Sequence, residues 1–403
     1  MTELTEDRRM SLASLRERAA EFDAIDPLAR CRELFALPDG VIYLDGNSLG
    51  ACPASVGASL DDVIRRQWAE RLIRSWDEGW WETPERVGAR IAPLVGAEPG
   101  EVVVGDSTSV NIFKLAIAGA RMKPGRTRVV VDASTFPTNG YIIESAARLL
   151  GLVVTKADPR SLGDVLGDDV AFVMMNHVDY RTGELWDMAS LTTMTHESGA
   201  LAFWDVCHSV GIYPLEFDSL GVDLAAGCTY KYLNGGPGAP AFLYVRAELQ
   251  SEFDQPLTGW HGHADPFAMT PEYAPAGGIL RGRVGTPPLI SMLALDAALD
   301  AYDGVSLTAA RAKTETLTTL YIDSVDALLD NDVEIITPRN PHHRAGQVSV
   351  AHPRAKELVK ELSNVGVLAD FREPNIVRQG FSPLYISHAD AVRAAEALAL
   401  VLG

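Results

Sequence analysis

From about residue 100 onward the chain alternates short apolar runs with longer stretches in which apolar residues recur at helical spacing. The runs Glu101–Gly105, Arg128–Asp132, Leu152–Lys156, Val170–Met175, Leu201–Asp205, Leu224–Gly227 and Ala241–Val245 have the length and composition of buried strands. Between them, Asn111–Arg121, Asn139–Leu150 and Ala189–Ser198 carry the pattern of helices. Apolar strands alternating with helices predict an α/β fold whose mainly parallel sheet is covered on both faces.

After Thr286-Pro287-Pro288 long helical patterns run to about Asp330. The rest mixes strands (Gln347–Ala351, Ala369–Arg372) with helices (Arg354–Asn364 and an Ala-rich C-terminal stretch), which predicts a second, smaller α+β domain. The expected division is a large domain over 41–305 and a small one over 306–403. Residues 1–40 read as a polar helical segment packing on the small domain, disordered before Ser11. Val41–Gly50 reads as a short strand entering a turn-rich loop, and Ala54–Trp68 as a helix. The tract Ile73–Trp81 carries three of the seven tryptophans, either a packed aromatic patch or the wall of a pocket for a flat ligand.

One connection stands apart. Cys228-Thr229-Tyr230-Lys231-Tyr232-Leu233-Asn234-Gly235-Gly236-Pro237-Gly238-Ala239-Pro240 places a single lysine between two apolar runs. A lysine held between buried strands is partly desolvated, which favours its neutral, nucleophilic amine, as a Schiff-base lysine requires. A surface lysine in a Gly-rich turn is the plainer alternative.

In an open α/β sheet ligands collect beyond the carboxyl ends of the strands. After the first run, Gly105-Asp106-Ser107-Thr108-Ser109-Val110-Asn111 opens a helix with small hydroxyl residues. That suits a phosphate group and equally suits ordinary helix capping. After Leu201–Trp204 come Asp205-Val206-Cys207-His208-Ser209, where a buried acid needs a partner. Pyridoxal phosphate enzymes set such an acid on the cofactor's ring nitrogen and add a lysine. An Asp–His pair for hydrolysis is the rival, but the chain lacks GxSxG, a Walker pattern and a strand-linked GxGxxG.

Composition narrows the class. The 403 residues are 47% hydrophobic and 22% charged, as in a globular enzyme. A net charge of −19 with no basic stretch argues against a nucleic-acid partner. The four cysteines, Cys31, Cys52, Cys207 and Cys228, have neither disulfide-framework nor zinc spacing. No apolar run is long enough for a membrane span and the first residues are charged, so a cytoplasmic protein is expected.

Six segments resemble those of the kynureninase family: Tyr43–Gly50, Leu72–Trp76, Phe136-Pro137-Thr138, Tyr180-Arg181-Thr182-Gly183, Gly227–Gly238 and Arg372-Glu373-Pro374. They occur in the family's order from about residue 25 to the C-terminus. The resemblance implies a fold-type-I pyridoxal phosphate hydrolase with a mostly parallel seven-stranded sheet. It implies Lys231 as the Schiff-base lysine, Tyr230 as a phosphate contact and proton relay, and Asp205 as the partner of the ring nitrogen. Thr108 and Ser109 are implied at the phosphate, Phe136 stacked on the ring, and Asn139, Asn176 and His208 close to the cofactor. Trp260 and Thr286 would reach the phosphate across a homodimer interface. Arg378 would hold the substrate's α-carboxylate through its guanidinium fork. Trp76 and the small Gly285 would shape the aryl pocket.

The implied reaction, a step of tryptophan catabolism, is hydrolysis of L-kynurenine to anthranilate and L-alanine. The chain departs from the family at Asn139, where an aspartate is usual. The alternatives are therefore a related pyridoxal phosphate lyase or desulfurase, and a preference for 3-hydroxykynurenine.

Overall fold

The structure is a computed structural model that describes residues 11–330 and 332–403. The tip expected to be disordered before Ser11 lies outside the described residues. All seven predicted strands form, as Val102–Val104, Arg128–Asp132, Val153–Ala157, Val170–Asn176, Leu201–Asp205, Leu224–Gly227 and Phe242–Val245. They join in one sheet, in the spatial order 102–104, 242–245, 224–227, 201–205, 170–176, 128–132, 153–157. The five strands from 224–227 to 153–157 pair in parallel, each reached through a helix or helical turn. Phe242–Val245 lies antiparallel to both its neighbours. The reason is local: the connection 228–241 contains no helix, and a parallel return needs a crossover.

Alternate residues of the strands face opposite layers. Val129, Val131, Phe172 and Met174 pack under the helices Thr108–Arg121 and Pro137–Leu150. Val130, Val173 and Met175 face the other layer, with Thr83–Val95, Met188–Glu197 and Leu289–Ala298. Burial on both faces is why these strands read as continuous apolar runs. The helix predicted over Ala54–Trp68 forms as Ser55–Asp62 and continues in wider π-type turns to Arg71.

The C-terminal part holds a four-stranded antiparallel sheet in the order 370–372, 376–380, 347–351, 334–335. Its strand Ile376–Gly380 was not expected from the pattern. Arg378 and Gln379 lie fully buried in it, so its polarity mimics a surface segment. Ile42–Tyr43 pairs with Val367–Leu368, and the Gly380 amide donates to the Leu44 carbonyl (2.7 Å), which ties the loop 45–50 to this sheet. Gly380 has no room for a side chain: a Cβ there would lie 2.1 Å from Asn47 Oδ1. The helix Leu12–Ala24 buries Leu15 and Ala19 against Leu320 and Val392, while Asp23 accepts from the His388 and Ala389 amides. No helix among the described residues is long and apolar enough to cross a membrane.

Candidate active site

The sheet register brings the polar strand ends to one level. Asn176 stands opposite Asp205, and Asp205 opposite Ala226, two residues before Cys228. These are carboxyl ends of parallel strands, beside the point where the chain reverses its direction of travel across the sheet, where α/β proteins bind ligands. Asp205 is 8% exposed. Its Oδ1 accepts from the Cys207 amide (2.8 Å) and its Oδ2 from Asn139 Nδ2 (2.6 Å). Asn139 also donates to Asn176 Oδ1 (3.3 Å), which accepts from Thr135 Oγ1 (3.0 Å). The asparagine thus gives Asp205 a donor where an aspartate would present a second acceptor.

Lys231 is half-buried, and its Nζ lies 3.0 Å from His208 Nε2 and 5.8 Å from the centre of the Tyr230 ring. Burial, then the Lys231 and Arg378 charges, push the His208 imidazole well below its ordinary pKa. A neutral ring accepts at Nε2, so the lysine donates. The Tyr230 phenol is pushed up by burial and by the nearby Cys228, Cys207 and Asp205, and it keeps its proton.

At the first strand end, both sequence readings find a residue. Ser107 caps the helix Thr108–Arg121, its Oγ accepting from the Val110 amide (3.4 Å). The Thr108 and Ser109 hydroxyls form no hydrogen bond among the described residues. Capping falls to Ser107, and the next two hydroxyls stand at the positive end of a helix. Phe136, 43% exposed, meets Tyr180 edge to face at 5.1 Å.

Arg378 is 1% exposed, and its guanidinium is already engaged. Nε and Nη2 donate to the two Asp370 oxygens (2.8 and 2.5 Å), Nη2 also to Ser48 Oγ (2.8 Å), and Nη1 to the Tyr180 carbonyl (2.8 Å). Arg372 joins Asp370 at 2.9 Å. Asp45 stands beside this cluster, and burial together with the Asp370 charge raises its pKa to about 7. Sequence reasoning missed Asp370, Asp45 and Ser48. Asp370 had only its place in a short strand to mark it, and the other two sat in a quoted motif without an assigned role.

The remaining predicted residues stand apart from Lys231. Trp76 packs edge-on against Trp80 and Trp81 (5.9 and 6.3 Å), and Trp81 reaches Trp260 at 5.4 Å. Gly285 and Thr286 are exposed and share a small cavity with Gly105, Asp106 and Lys114. No hydrogen bond or ring contact among the described residues links Trp76, Trp260, Gly285 or Thr286 to Lys231 or Asp205.

Comparisons with known proteins agree on one family and one fold. Residues 310–398 match the kynureninase C-terminal domain. The chain is 46% identical over 388 residues to a kynureninase of Deinococcus radiodurans, covering 94% of each chain. It is 44% identical over 396 residues to one of Burkholderia pseudomallei, covering 96% of this chain and 95% of that one. Among solved structures, a cysteine desulfurase of Thermococcus onnurineus superposes with a TM-score of 0.79 at 20% identity, over 93% and 96% of the two chains. The cystine C–S lyase C-DES superposes at 0.76 and 16% identity, over 89% and 98%. At these identities the structures speak for the fold alone, that of pyridoxal phosphate enzymes of fold type I.

Proposed function

That the chain belongs to the kynureninase family is the premise from which we propose its function: hydrolysis of L-kynurenine to anthranilate and L-alanine, with pyridoxal phosphate bound at Lys231. The observation that carries the site is the Asn176, Asp205, Ala226 register, which sets a buried carboxylate one strand from the connection bearing Lys231. The residues suit the cofactor chemically. A buried carboxylate matches a protonated ring nitrogen, a lysine amine matches an aldehyde, and unpaired hydroxyls at a helix N-terminus match a phosphate.

When bound, pyridoxal phosphate supplies an electron sink for the substrate carbon beside the amine. The protein's own groups do the rest. Asp205, fixed by Asn139 and the Cys207 amide, holds negative charge at the end of its strand. The neutral His208 ring keeps Lys231 Nζ in place, where the amine takes and returns the proton of the substrate carbon. Tyr230 holds a proton for the later steps. Arg378 orients the substrate's carboxylate, with Asp370 as the group it must share. Thr108, Ser109, Phe136, Asn176, Trp76 and Gly285 keep the binding roles given to them above.

The division into residues 1–40, 41–305 and 306–403 is part of this reading, as is a cytoplasmic homodimer in which Trp260 and Thr286 serve the partner's site. Exposed Trp68, Ile73, Phe267 and Met269, together with Trp260, support such an interface. The lyase alternative has the fold and the departure at Asn139 in its favour. The test is fluorescence of released anthranilate when the holoenzyme meets L-kynurenine, with 3-hydroxykynurenine and cystine run beside it. No product from L-kynurenine and release of sulfane sulfur from cystine would overturn the reading.

A further inference from the structure

Two residues before the helix Thr108–Arg121, Asp106 adopts a left-handed backbone (φ 55°), a conformation that a non-glycine residue holds only with help from its surroundings. Its main chain is pinned to the neighbouring strand, the Gly105 amide donating to the Ala241 carbonyl (2.9 Å) and the Ala241 amide to the Asp106 carbonyl (2.9 Å). Its side chain is held by Lys114. The Lys114 side chain is 1% exposed and runs back along the helix, as helical side chains do, to place Nζ 2.7 Å from Asp106 Oδ2. The same ammonium donates to the Gly282 carbonyl (2.8 Å), at the start of the segment that carries Gly285 and Thr286. Asn111, also buried, closes the turn by donating to the Gly105 carbonyl (3.0 Å).

This arrangement has a cost and a use. Burial lowers the Lys114 pKa, against the pull of Asp106, so the fold keeps an unfavourably placed cation. A carboxylate two residues ahead of an anion-binding helix end would repel that anion unless its charge were balanced. Lys114 balances it and ties the two sides of the small cavity together.

We propose that Lys114 is a positioning residue for the cofactor's phosphate: by holding and neutralising Asp106 it sets the Ser107-Thr108-Ser109 turn in its anion-binding form. The proposal rests on the assignment of Thr108 and Ser109 to the phosphate. Lys114 Nζ is bonded to Asp106 and the Gly282 carbonyl and forms no hydrogen bond to Lys231 or Asp205 among the described residues, so its effect falls on phosphate binding and not on the chemistry at Lys231.

The test compares two ligands of the apoprotein by visible absorbance: pyridoxal phosphate, and pyridoxal, which has the same ring and aldehyde but no phosphate. In Lys114→Met, affinity for pyridoxal phosphate falls on the order of tenfold or more, the cost of losing a charge-assisted contact, while affinity for pyridoxal is unchanged. Removing the stranded carboxylate as well, in Asp106→Asn/Lys114→Met, restores most of the lost phosphate discrimination. Equal losses for both ligands, or no loss, overturn the proposal. If Lys114→Met does not accumulate as folded protein, Lys114→Gln, which keeps a donor but no charge, carries the same comparison. Ser109→Ala separates the premise from the inference. If it fails to discriminate the two ligands, the phosphate assignment itself is wrong; if it discriminates and Lys114→Met does not, only the role of Lys114 is.

Discussion

Asn139→Asp tests the electrostatics of the site directly. Asn139 Nδ2 lies 2.6 Å from Asp205 Oδ2, and Asp205 is almost wholly buried. The substitution exchanges that donor for a second carboxylate. Two unit charges about 4 Å apart at an effective dielectric of about 20 repel by about 4 kcal/mol. At about 1.4 kcal/mol per unit, that lifts one carboxyl of the pair by about three pKa units, to near neutrality. Because the folded pKa then exceeds the unfolded one, the folded apoprotein holds an extra proton, and its stability falls as pH rises from about 4 to about 7. Above that window the variant should be less stable than wild type by up to about 4 kcal/mol, and below pH 4 the two should converge. Denaturant unfolding of both apoproteins at pH 5 and pH 8 measures the difference. Added pyridoxal phosphate should recover more stability in the variant than in wild type at pH 8, since a protonated ring nitrogen would sit against two carboxylates. Parallel stability curves for the two apoproteins would refute the contact. Equal recovery by the cofactor would refute the placing of its ring nitrogen beside Asp205.

Other substitutions address separate parts of the site. Lys231→Ala should keep the fold, since among the described residues Nζ hydrogen-bonds His208 alone, but lose turnover and the visible absorbance of the bound cofactor; borohydride-stable labelling of another lysine would show that the assignment is wrong. Arg378→Ala should both raise KM and lower thermal stability. It leaves Asp370 without its main cation beside Asp45, and breaking a buried pair costs about 3–5 kcal/mol. An unchanged KM would remove Arg378 from the substrate site, whatever the stability. For Asp45, raised from 3.8 to about 7, the sign is that of a folded pKa above the unfolded one: wild type loses stability as pH climbs through that window. Asp45→Asn should flatten this decline and be the more stable protein at pH 8, by up to about 4 kcal/mol; coincident pH profiles would count against the buried acid.

The order of strands and helices was legible in the sequence because strands buried on both faces must be apolar throughout, and Arg128–Asp132, Leu201–Asp205 and Leu224–Gly227 form with the bounds their pattern predicts. Lys231 and Asp205 stood out in the sequence as candidates because each sits where a charge is costly unless it is used. Asp370, Asp45 and Lys114 were not. Each owes its meaning to a partner far along the chain: Asp370 to Ser48, Asp45 to Asp370, Lys114 to the Gly282 carbonyl. A buried polar residue whose partner arrives from another element looks, in sequence, like one facing water. The meaning of Asn139 was undecided for the same reason, a lost charge within the family on one reading and a mark of different chemistry on another. Only the fold, by carrying its amide to within hydrogen-bonding distance of Asp205, turned the substitution into a donor that the buried carboxylate uses.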